Sequence, residues 1–265
     1  MTQFLIKGSS KIFRQEKEQV LMIFKDTIHG AQREGFIEGT GHLRKAFTYY
    51  FYRFLERHGI RTHLDESQGC ALTEDGIIVH QLKPVRIEII VRNVARGHWV
   101  DPHKVPVFKG GTVFDEPIVE FCLKWKCEKE DGTLIDDPRI SPAVAIALHK
   151  HAKDPSIRDH MIPDEEEAET LQKLAIAINN SYRDFLAQHG WILEDFKFEV
   201  GVGPDRNFIV IDEISPDCSR IRDKAGNSLT KDLFRQQRPA EDIYEGYRLL
   251  KEAIEELANQ ETHHA

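Results

Sequence analysis

Cysteine is scarce in this chain of 265 residues. The four present, Cys70, Cys122, Cys127 and Cys218, form no CxxC pair, and none sits at zinc-finger spacing with histidine. That pattern argues against a disulfide scaffold or a cysteine-built zinc site and leaves buried or idle thiols. Long apolar runs are missing too. Nothing approaches the roughly 18 to 20 residues that span a bilayer, and Met1 to Ser10 lacks the apolar core of a secretory signal. The expectation is a cytoplasmic protein without a membrane partner. Positive charge is in deficit, with 36 Lys plus Arg against 44 Asp plus Glu and a net charge of −8. A general nucleic-acid surface needs a basic face to neutralise phosphates, so no nucleic-acid partner is expected. Repeats, low-complexity tracts and an evident flexible linker are also absent.

What the chain does have is 40% hydrophobic and 30% charged residues, a globular composition at a length that buries about 70 to 75% of the unfolded surface. Phe4 to Lys7, Lys11 to Gln15 and Gln19 to Phe24 read as strands, the first two hinged at Gly8-Ser9-Ser10. Leu43, Phe47, Tyr50, Phe51, Phe54 and Leu55 recur at helical spacing from His42 to His58, with Gly59 where a C-terminal cap belongs. Strands are expected at Ile77 to Leu82, Arg86 to Val91 and Ile118 to Lys126. Between them Gly97 to Gly111 reads as a loop, and Glu128 to Asp137 as a polar turn. Helices are expected at Pro142 to His151, Asp164 to His189 and Ala240 to Leu257, and strands at Leu193 to Val200 and Phe208 to Ile211. His263 and His264 fall in a polar tail and receive no role.

The chemistry concentrates in Asp195-Phe196-Lys197-Phe198-Glu199 and in Asp212-Glu213-Ile214-Ser215-Pro216-Asp217-Cys218-Ser219-Arg220. Period two puts Asp195, Lys197 and Glu199 on one face and Phe196 and Phe198 on the other. If the two strands pair, Glu199 and Asp212 come from opposite ends, and a twisted or offset register brings both carboxylates to one rim. Two hard oxygen ligands there suit Mg²⁺ with nucleotide phosphates; the plainer alternative is an exposed face with an ordinary Lys-Glu pair. Arg220 is suited to grip a phosphate or carboxylate by two parallel hydrogen bonds. Gly8-Ser9-Ser10-Lys11 can cover nucleotide phosphates or be a simple hairpin with a solvated lysine, and it matches neither a Walker loop nor a dinucleotide fingerprint. Arg92-Asn93, with Arg96 and Gly97 beyond, offers a second anion grip or a solvated strand end.

On these residues the chain resembles the SAICAR synthetase family, collinearly from about Ile6 to the final helix. Asp195 to Gly201, Asp212 to Arg220 and Lys231 to Gln236 carry most of the likeness, with support from Val91 to Gly97, Pro117 to Phe121 and Asp136-Asp137-Pro138. The resemblance implies an α/β (α+β), two-lobed fold akin to kinases and ATP-grasp proteins. An antiparallel N-terminal lobe over residues 1–83 would cover the nucleotide, and a larger α/β lobe over 84–265 would bind substrate and metal. It implies ATP, the carboxylated aminoimidazole ribotide CAIR and L-aspartate as substrates, Mg²⁺ as cofactor, and self-association into a homo-oligomer. Carried over by position, Gly8, Ser9, Ser10 and Lys11 meet the ATP phosphates, Lys83 to Arg86 forms the adenine hinge, and Glu199 and Asp212 hold Mg²⁺. Arg92, Asp137, Asp195, Lys197, Asp217, Ser219, Arg220 and Arg235 line the ribotide and carboxylate pocket, with Lys197, Asp195 and Arg220 nearest the chemistry. The chain departs from the family pattern at Ser9 and Thr40, where lysines are usual, and at His98, where serine is usual. A paralogue joining another carboxylate and amine, or a sensor without turnover, would share most of these features.

Overall fold

Alternating apolar residues build most of this molecule's strands. The computed structural model describes residues 3–16, 19–30, 33–100, 108–128 and 134–262. In chain order, β1 (Gln3–Lys7), β2 (Lys11–Glu16), β3 (Gln19–Phe24), β4 (Thr27–Gly30) and β5 (Arg33–Phe36) precede helix α1 (Thr40–Arg57). Strands β6 (Ile77–Val79), β7 (Lys83–Val94), β8 (Val113–Leu123), β9 (Lys126–Glu128), β10 (Leu134–Asp136) and β11 (Arg139–Ile140) lead to α2 (Pro142–His151), α3 (Pro155–Arg158) and α4 (Glu165–Gln188). Then come β12 (Ile192–Val202), β13 (Phe208–Ile211), β14 (Ser219–Arg222), α5 (Asp232–Arg235) and α6 (Ala240–Thr262). No described helix is long and apolar enough to cross a membrane.

Packing divides the chain into two compact units. The first takes the described residues up to Gln81, Arg183–Leu193 and those from Glu213 onward; the second takes Leu82–Tyr182 and Glu194–Asp212. This differs from a single cut at 83/84. The reason is helix packing: α6 lies along α1, so the C-terminal residues join the N-terminal sheet.

In the first unit, β1, β2, β3 and β6 form an antiparallel sheet in that order. The Gly8-Ser9-Ser10 turn closes its first hairpin with Gly8 N donating to Lys11 O at 2.9 Å. Helix α1 buries Leu43, Phe47, Phe51, Phe54 and Leu55 of the apolar stripe read from the sequence, while Tyr50 is half-buried and donates its hydroxyl to Glu255 Oε1 at 3.1 Å. Phe47, Phe51 and Phe54 pack on Phe185 with ring centroids 6.2 to 6.5 Å apart. Asp26 caps the helix from outside by accepting from Gly39 N at 3.0 Å and Gly41 N at 2.7 Å, which satisfies amides that have no partner within the helix. Gly59, at φ 75°, ends α1 with Ile60 N bonded to Leu55 O, and Gly190, at φ 68°, ends α4 in the same way. The β4–β5 hairpin was not expected from the sequence; Ile28 holds it to a core of Ile37, Leu43, Leu233, Ile243 and Tyr247.

In the second unit the antiparallel order is β11-β8-β7-β12-β13. Strands β7 and β8 run longer than expected because each continues the other's ladder, Ile87 to Val94 against Leu123 to Val113. Pro84 is tolerated in β7 because it pairs only with Gly201 of β12, beyond the stretch that β8 reaches. A β9–β10 hairpin flanks the expected polar turn, of which 129–133 lie outside the described residues. One sheet face, carrying Ile87, Ile89, Val91, Phe121, Phe196, Phe198 and Val210, is buried. On the helical side Leu171, Ala175, Ile178 and Tyr182 of α4 are buried too, with Tyr182 edge-on to Phe196 at 5.6 Å. Asn93 and Asn179 exchange side-chain hydrogen bonds at 2.8 and 3.2 Å.

Gly246 of α6 lies against the Leu229 backbone, where an added Cβ would fall 2.6 Å from the Leu229 carbonyl oxygen. A mid-helix Gly→Ala exchange ordinarily gains about 1 kcal/mol. Gly246→Ala is expected instead to lose about 1 to 3 kcal/mol in urea unfolding through overpacking; a more stable variant would show that this contact is loose.

Candidate functional site

The pleat that buries Phe196 and Phe198 sends Asp195, Lys197 and Glu199 to the opposite face. Register then supplies their neighbours, since Asp195 lies opposite Arg92 and Glu199 opposite Glu88, while Glu120 of β8 lies opposite Ile90. Arg92 donates from Nη1 to Asp195 Oδ2 at 3.0 Å and from Nε to Glu120, which also accepts from Arg139 Nε. Burial raises the cost of the Glu120 charge, yet Arg92 and Arg139 keep its carboxyl below the usual range. Three residues of this set, Arg92, Glu120 and Asp195, are buried, so their geometry is rigidly held.

Three carboxylates meet on one ammonium at the other end of the face. Lys197 Nζ is 3.0 Å from Glu199 Oε1, 3.3 Å from Glu88 Oε2 and 3.8 Å from Asp212 Oδ2, and Lys124 Nζ is 2.5 Å from Glu199 Oε1. No offset register is needed to bring Glu199 beside Asp212. Strand β13 is short, so Glu199 pairs with Ile211 and Asp212 follows immediately, at φ 67°. Burial opposes ionisation of Glu199, but Lys197 and Lys124 prevail and pull its pKa to about 2. Three carboxylates against two ammonium groups leave one negative charge in excess. These hard oxygen donors suit Mg²⁺, which commonly takes one or two carboxylates and completes its shell with water and phosphate oxygens. Among the described residues no group of three or more His, Cys, Asp or Glu side chains is arranged to hold a metal by itself.

The first unit holds a second charged set. Lys11, buried at the start of β2, is 2.5 Å from Glu213 Oε1, and Ser215 Oγ donates to Glu213 Oε2 at 2.6 Å. Arg44 Nη1 is 3.3 Å from Glu213 Oε1 and 3.5 Å from Asp217 Oδ2. Asp217 also accepts from the Tyr247 hydroxyl and lies 3.5 Å from Lys231 Nζ. Burial, aided by the Asp217 charge, holds the Tyr247 phenol far above its ordinary pKa, so it stays a proton donor to Asp217. Nearby in the chain, Arg220, Arg222 and Arg235 converge on Asp232 at 3.3, 3.3 and 3.5 Å. Burial disfavours the Asp232 carboxylate, and the arginines, Arg220 foremost, more than offset this.

Comparison with known proteins decides what this arrangement belongs to. The family model for SAICAR synthetase matches residues 5–248. The phosphoribosylaminoimidazole-succinocarboxamide synthase of Sulfolobus acidocaldarius is 33% identical over 91% of this chain and 93% of its own length. The chain belongs to the SAICAR synthetase family. The enzyme of the same name from Persephonella marina is 32% identical, covering 95% of both chains. A solved SAICAR synthetase in complex with ADP superposes with a TM-score of 0.77 at 28% identity, covering 95% of this chain and 97% of that one. The mixed α/β fold expected from the resemblance is therefore the family's fold.

The residues singled out from the sequence fall into both units. Gly8, Ser9, Ser10, Lys11, Asp217, Ser219, Arg220 and Arg235 lie in the first, and Lys83, Arg86, Arg92, Asp137, Asp195, Lys197, Glu199 and Asp212 in the second. Several are engaged in ways the sequence did not suggest. Ser219 is buried and donates to Ser215 O at 3.1 Å, bracing its own loop. Asp137, at φ 44°, accepts from Trp125 N at 3.2 Å and thereby closes the β9–β10 region. The Arg86 amide and carbonyl are both committed, to His160 O and Lys124 N, whereas Lys83 is exposed. Thr40 is buried with Oγ1 donating to Ile37 O at 2.7 Å. His98 stands in a short turn, Gly97–Val100, its side chain outside the described residues, as are His263 and His264. Cys122 is buried, which pushes its thiol up to about 11, whereas Cys70 is exposed.

Residues to which the sequence reading gave no individual role are Glu88, Glu120, Lys124 and Glu213. Glu88 had a signal, since it stands on the same alternating face as Arg92. Glu213 adjoined Asp212 in a segment already singled out.

Glu199 gives a pH test. A carboxyl whose folded pKa is depressed contributes stability above its unfolded pKa, near 4.5, and loses it as pH falls toward the folded value of about 2. The stability difference between the wild type and Glu199→Gln is therefore expected to change between pH 4.5 and about 2 and stay flat from pH 5 to 7. Urea titrations at each pH measure it, and a flat difference throughout would sink the ion-pair assignment.

Proposed function

We infer that the chain is an ATP-dependent ligase that joins the carboxylate of CAIR to the amine of L-aspartate, giving SAICAR, ADP and phosphate. Family membership over most of the chain supports the reaction. The observation that carries the residue assignment is the convergence of Glu88, Glu199 and Asp212 on Lys197, with Lys124 also on Glu199, three carboxylates against two ammonium groups.

The chemistry follows from the weakness of a carboxylate as an acyl donor. The CAIR carboxylate attacks the γ-phosphorus of ATP, the bond to the β-phosphate oxygen breaks, and ADP leaves. The aspartate amine then attacks the acyl carbon, phosphate departs and the amine loses a proton. Positioning and charge neutralisation do this work without a covalent enzyme nucleophile. Mg²⁺, when bound, supplies charge neutralisation for the nucleotide phosphates, and Glu199 and Asp212 are the residues that would hold it. Lys11 would lie against the phosphates, with the Gly8-Ser9-Ser10 turn covering them. Lys83 and the Arg86 side chain are left for the adenine end.

Arg220 and Arg235 hold more positive charge than Asp232 cancels once Arg222 is counted, which suits a phosphate or carboxylate. Arg92, locked by Glu120 and Asp195, would present a fixed cation to the ribotide, and Lys197 would face the reacting carboxylate. Cytoplasmic residence is carried over from the expectation drawn from the sequence, and self-association from the family resemblance.

Purified protein should release ADP only when both CAIR and aspartate are present. Glu199→Gln and Asp212→Asn should each lower kcat by about 100-fold or more, the scale of removing one electrostatic stabiliser, in protein whose circular dichroism at the assay temperature is that of the folded wild type. Near-normal turnover in either would remove the metal assignment. Arg220→Ala should raise the KM for CAIR about tenfold, as expected for loss of a charged hydrogen bond; an unchanged KM would show that Arg220 does not grip the ribotide. ADP release with a different carboxylate, and none with CAIR, would overturn the substrate.

A further inference from the structure

A buried arginine in the middle of an amphipathic helix demands an explanation. Arg44 has 1% relative exposure, yet it sits on α1 between the core residues Leu43 and Phe47. An isolated charge there would be very costly, so its partners must answer for it. They lie on three segments of the first unit. Nη1 faces Glu213 and Asp217, Nη2 donates to the carbonyls of Ser10, at 3.4 Å, and Lys25, and the guanidinium carbon stands 5.7 Å from the Phe24 ring centroid. Ser10 and Lys25 are themselves bonded, Lys25 N to Ser10 O at 2.9 Å, at the point where β2 and β3 meet the Gly8-Ser9-Ser10 turn. One guanidinium therefore ties this turn to the acidic segment that follows Asp212. Burial works against the Arg44 charge, but Glu213 and Asp217 hold it more firmly protonated than an ordinary arginine.

The electrostatic consequence falls on Lys11. Its ammonium and the Arg44 guanidinium share one oxygen, Glu213 Oε1, at 2.5 and 3.3 Å. With Lys11 alone, Glu213 would cancel the lysine's charge. With Arg44 present, the carboxylate is divided between two cations, and the connected set of Lys11, Arg44 and Lys231 with Glu213 and Asp217 carries three positive charges against two negative. We propose that Arg44 is a positioning residue for nucleotide binding: it neutralises Glu213 and pins the Ser10 and Lys25 carbonyls, so that Lys11 keeps both its place and its charge for the nucleotide phosphates. This rests on the assignment of Lys11 to the ATP phosphates. Lysine at position 44 would preserve the charge but not the planar fork that reaches carboxylate and carbonyls together.

The test is steady-state ADP release by the full chain, with KM for ATP and for aspartate measured in wild type, Arg44→Gln, Arg44→Lys, Lys11→Met and the Arg44→Lys/Lys11→Met double variant. Arg44→Gln is expected to raise the KM for ATP about tenfold while leaving that for aspartate within about twofold, and Arg44→Lys to recover part of the loss. In the Lys11→Met background the Arg44→Lys effect should vanish, because the residue acts through Lys11. Unchanged ATP KM in the Arg44 variants, equal rises for ATP and aspartate, or an Arg44→Lys effect that persists without Lys11 would each overturn the proposal. If Arg44→Gln does not fold, the Arg44→Lys and Lys11→Met cycle decides alone. A normal ATP KM in Lys11→Met, or a wild type that releases no ADP with CAIR and aspartate, would instead remove the underlying assignment and this proposal with it.

Discussion

The antiparallel register between β7 and β12 is the constraint on which the charged face of the second unit depends. It sets Arg92 against Asp195 and Glu88 against Glu199, while the alternate positions stack Val91, Ile89, Phe196 and Phe198 into the apolar layer. A slip by one residue would invert both faces at once, putting phenylalanines in the charged face and carboxylates in the core. The apolar burial that makes the sheet stable is therefore also what holds Arg92, Asp195 and Glu199 in place. Fully burying a phenylalanine is worth about 1.5 to 3 kcal/mol, whereas buried ion pairs such as Arg92 with Asp195 must first repay their desolvation, so the core sets the geometry and the charges accept it.

The first unit solves a different problem. Its charges are deeply buried on several segments rather than spread across one pleated face, and no single strand pairing arranges them. Lys11, Arg44, Glu213 and Asp217 are each less than 10% exposed. Such a set is stable only when every member is partnered, and Ser215, Tyr247 and Lys231 complete it. Replacing such a cluster by well-packed apolar residues often stabilises a protein. Its presence points to positional specificity rather than to stability as its use.

Local pattern made much of the architecture readable. The stripe from Leu43 to Leu55 gave α1, and the strand expected from Ile118 gave the second half of β8. The turn glycine Gly59 marked where α1 stops. Period two also separated Asp195, Lys197 and Glu199 from Phe196 and Phe198. What stayed hidden depends on contacts distant in the chain. The burial of Arg44 is unreadable until Glu213, 169 residues away, is known to lie beside it. Glu120 looks like one more polar residue of an alternating strand until β7 and β11 bring Arg92 and Arg139 to its two oxygens. The β4–β5 hairpin was concealed because its short strands carry few apolar residues and take their burial from α5 and α6.

Asp212 occupies the left-handed region of backbone space, at φ 67°, where a side chain other than glycine is generally disfavoured by about 1 to 2 kcal/mol. Aspartate tolerates that region better than most, but glycine would sit there with less strain. An optimiser that scored folding alone would therefore favour glycine, and in doing so would remove one of the three carboxylates around Lys197. With Asp212 as a metal-holding residue, as proposed above, stability and turnover would pull this position in opposite directions. Thermostabilising libraries built on this scaffold should hold Asp212 fixed and seek their gains elsewhere.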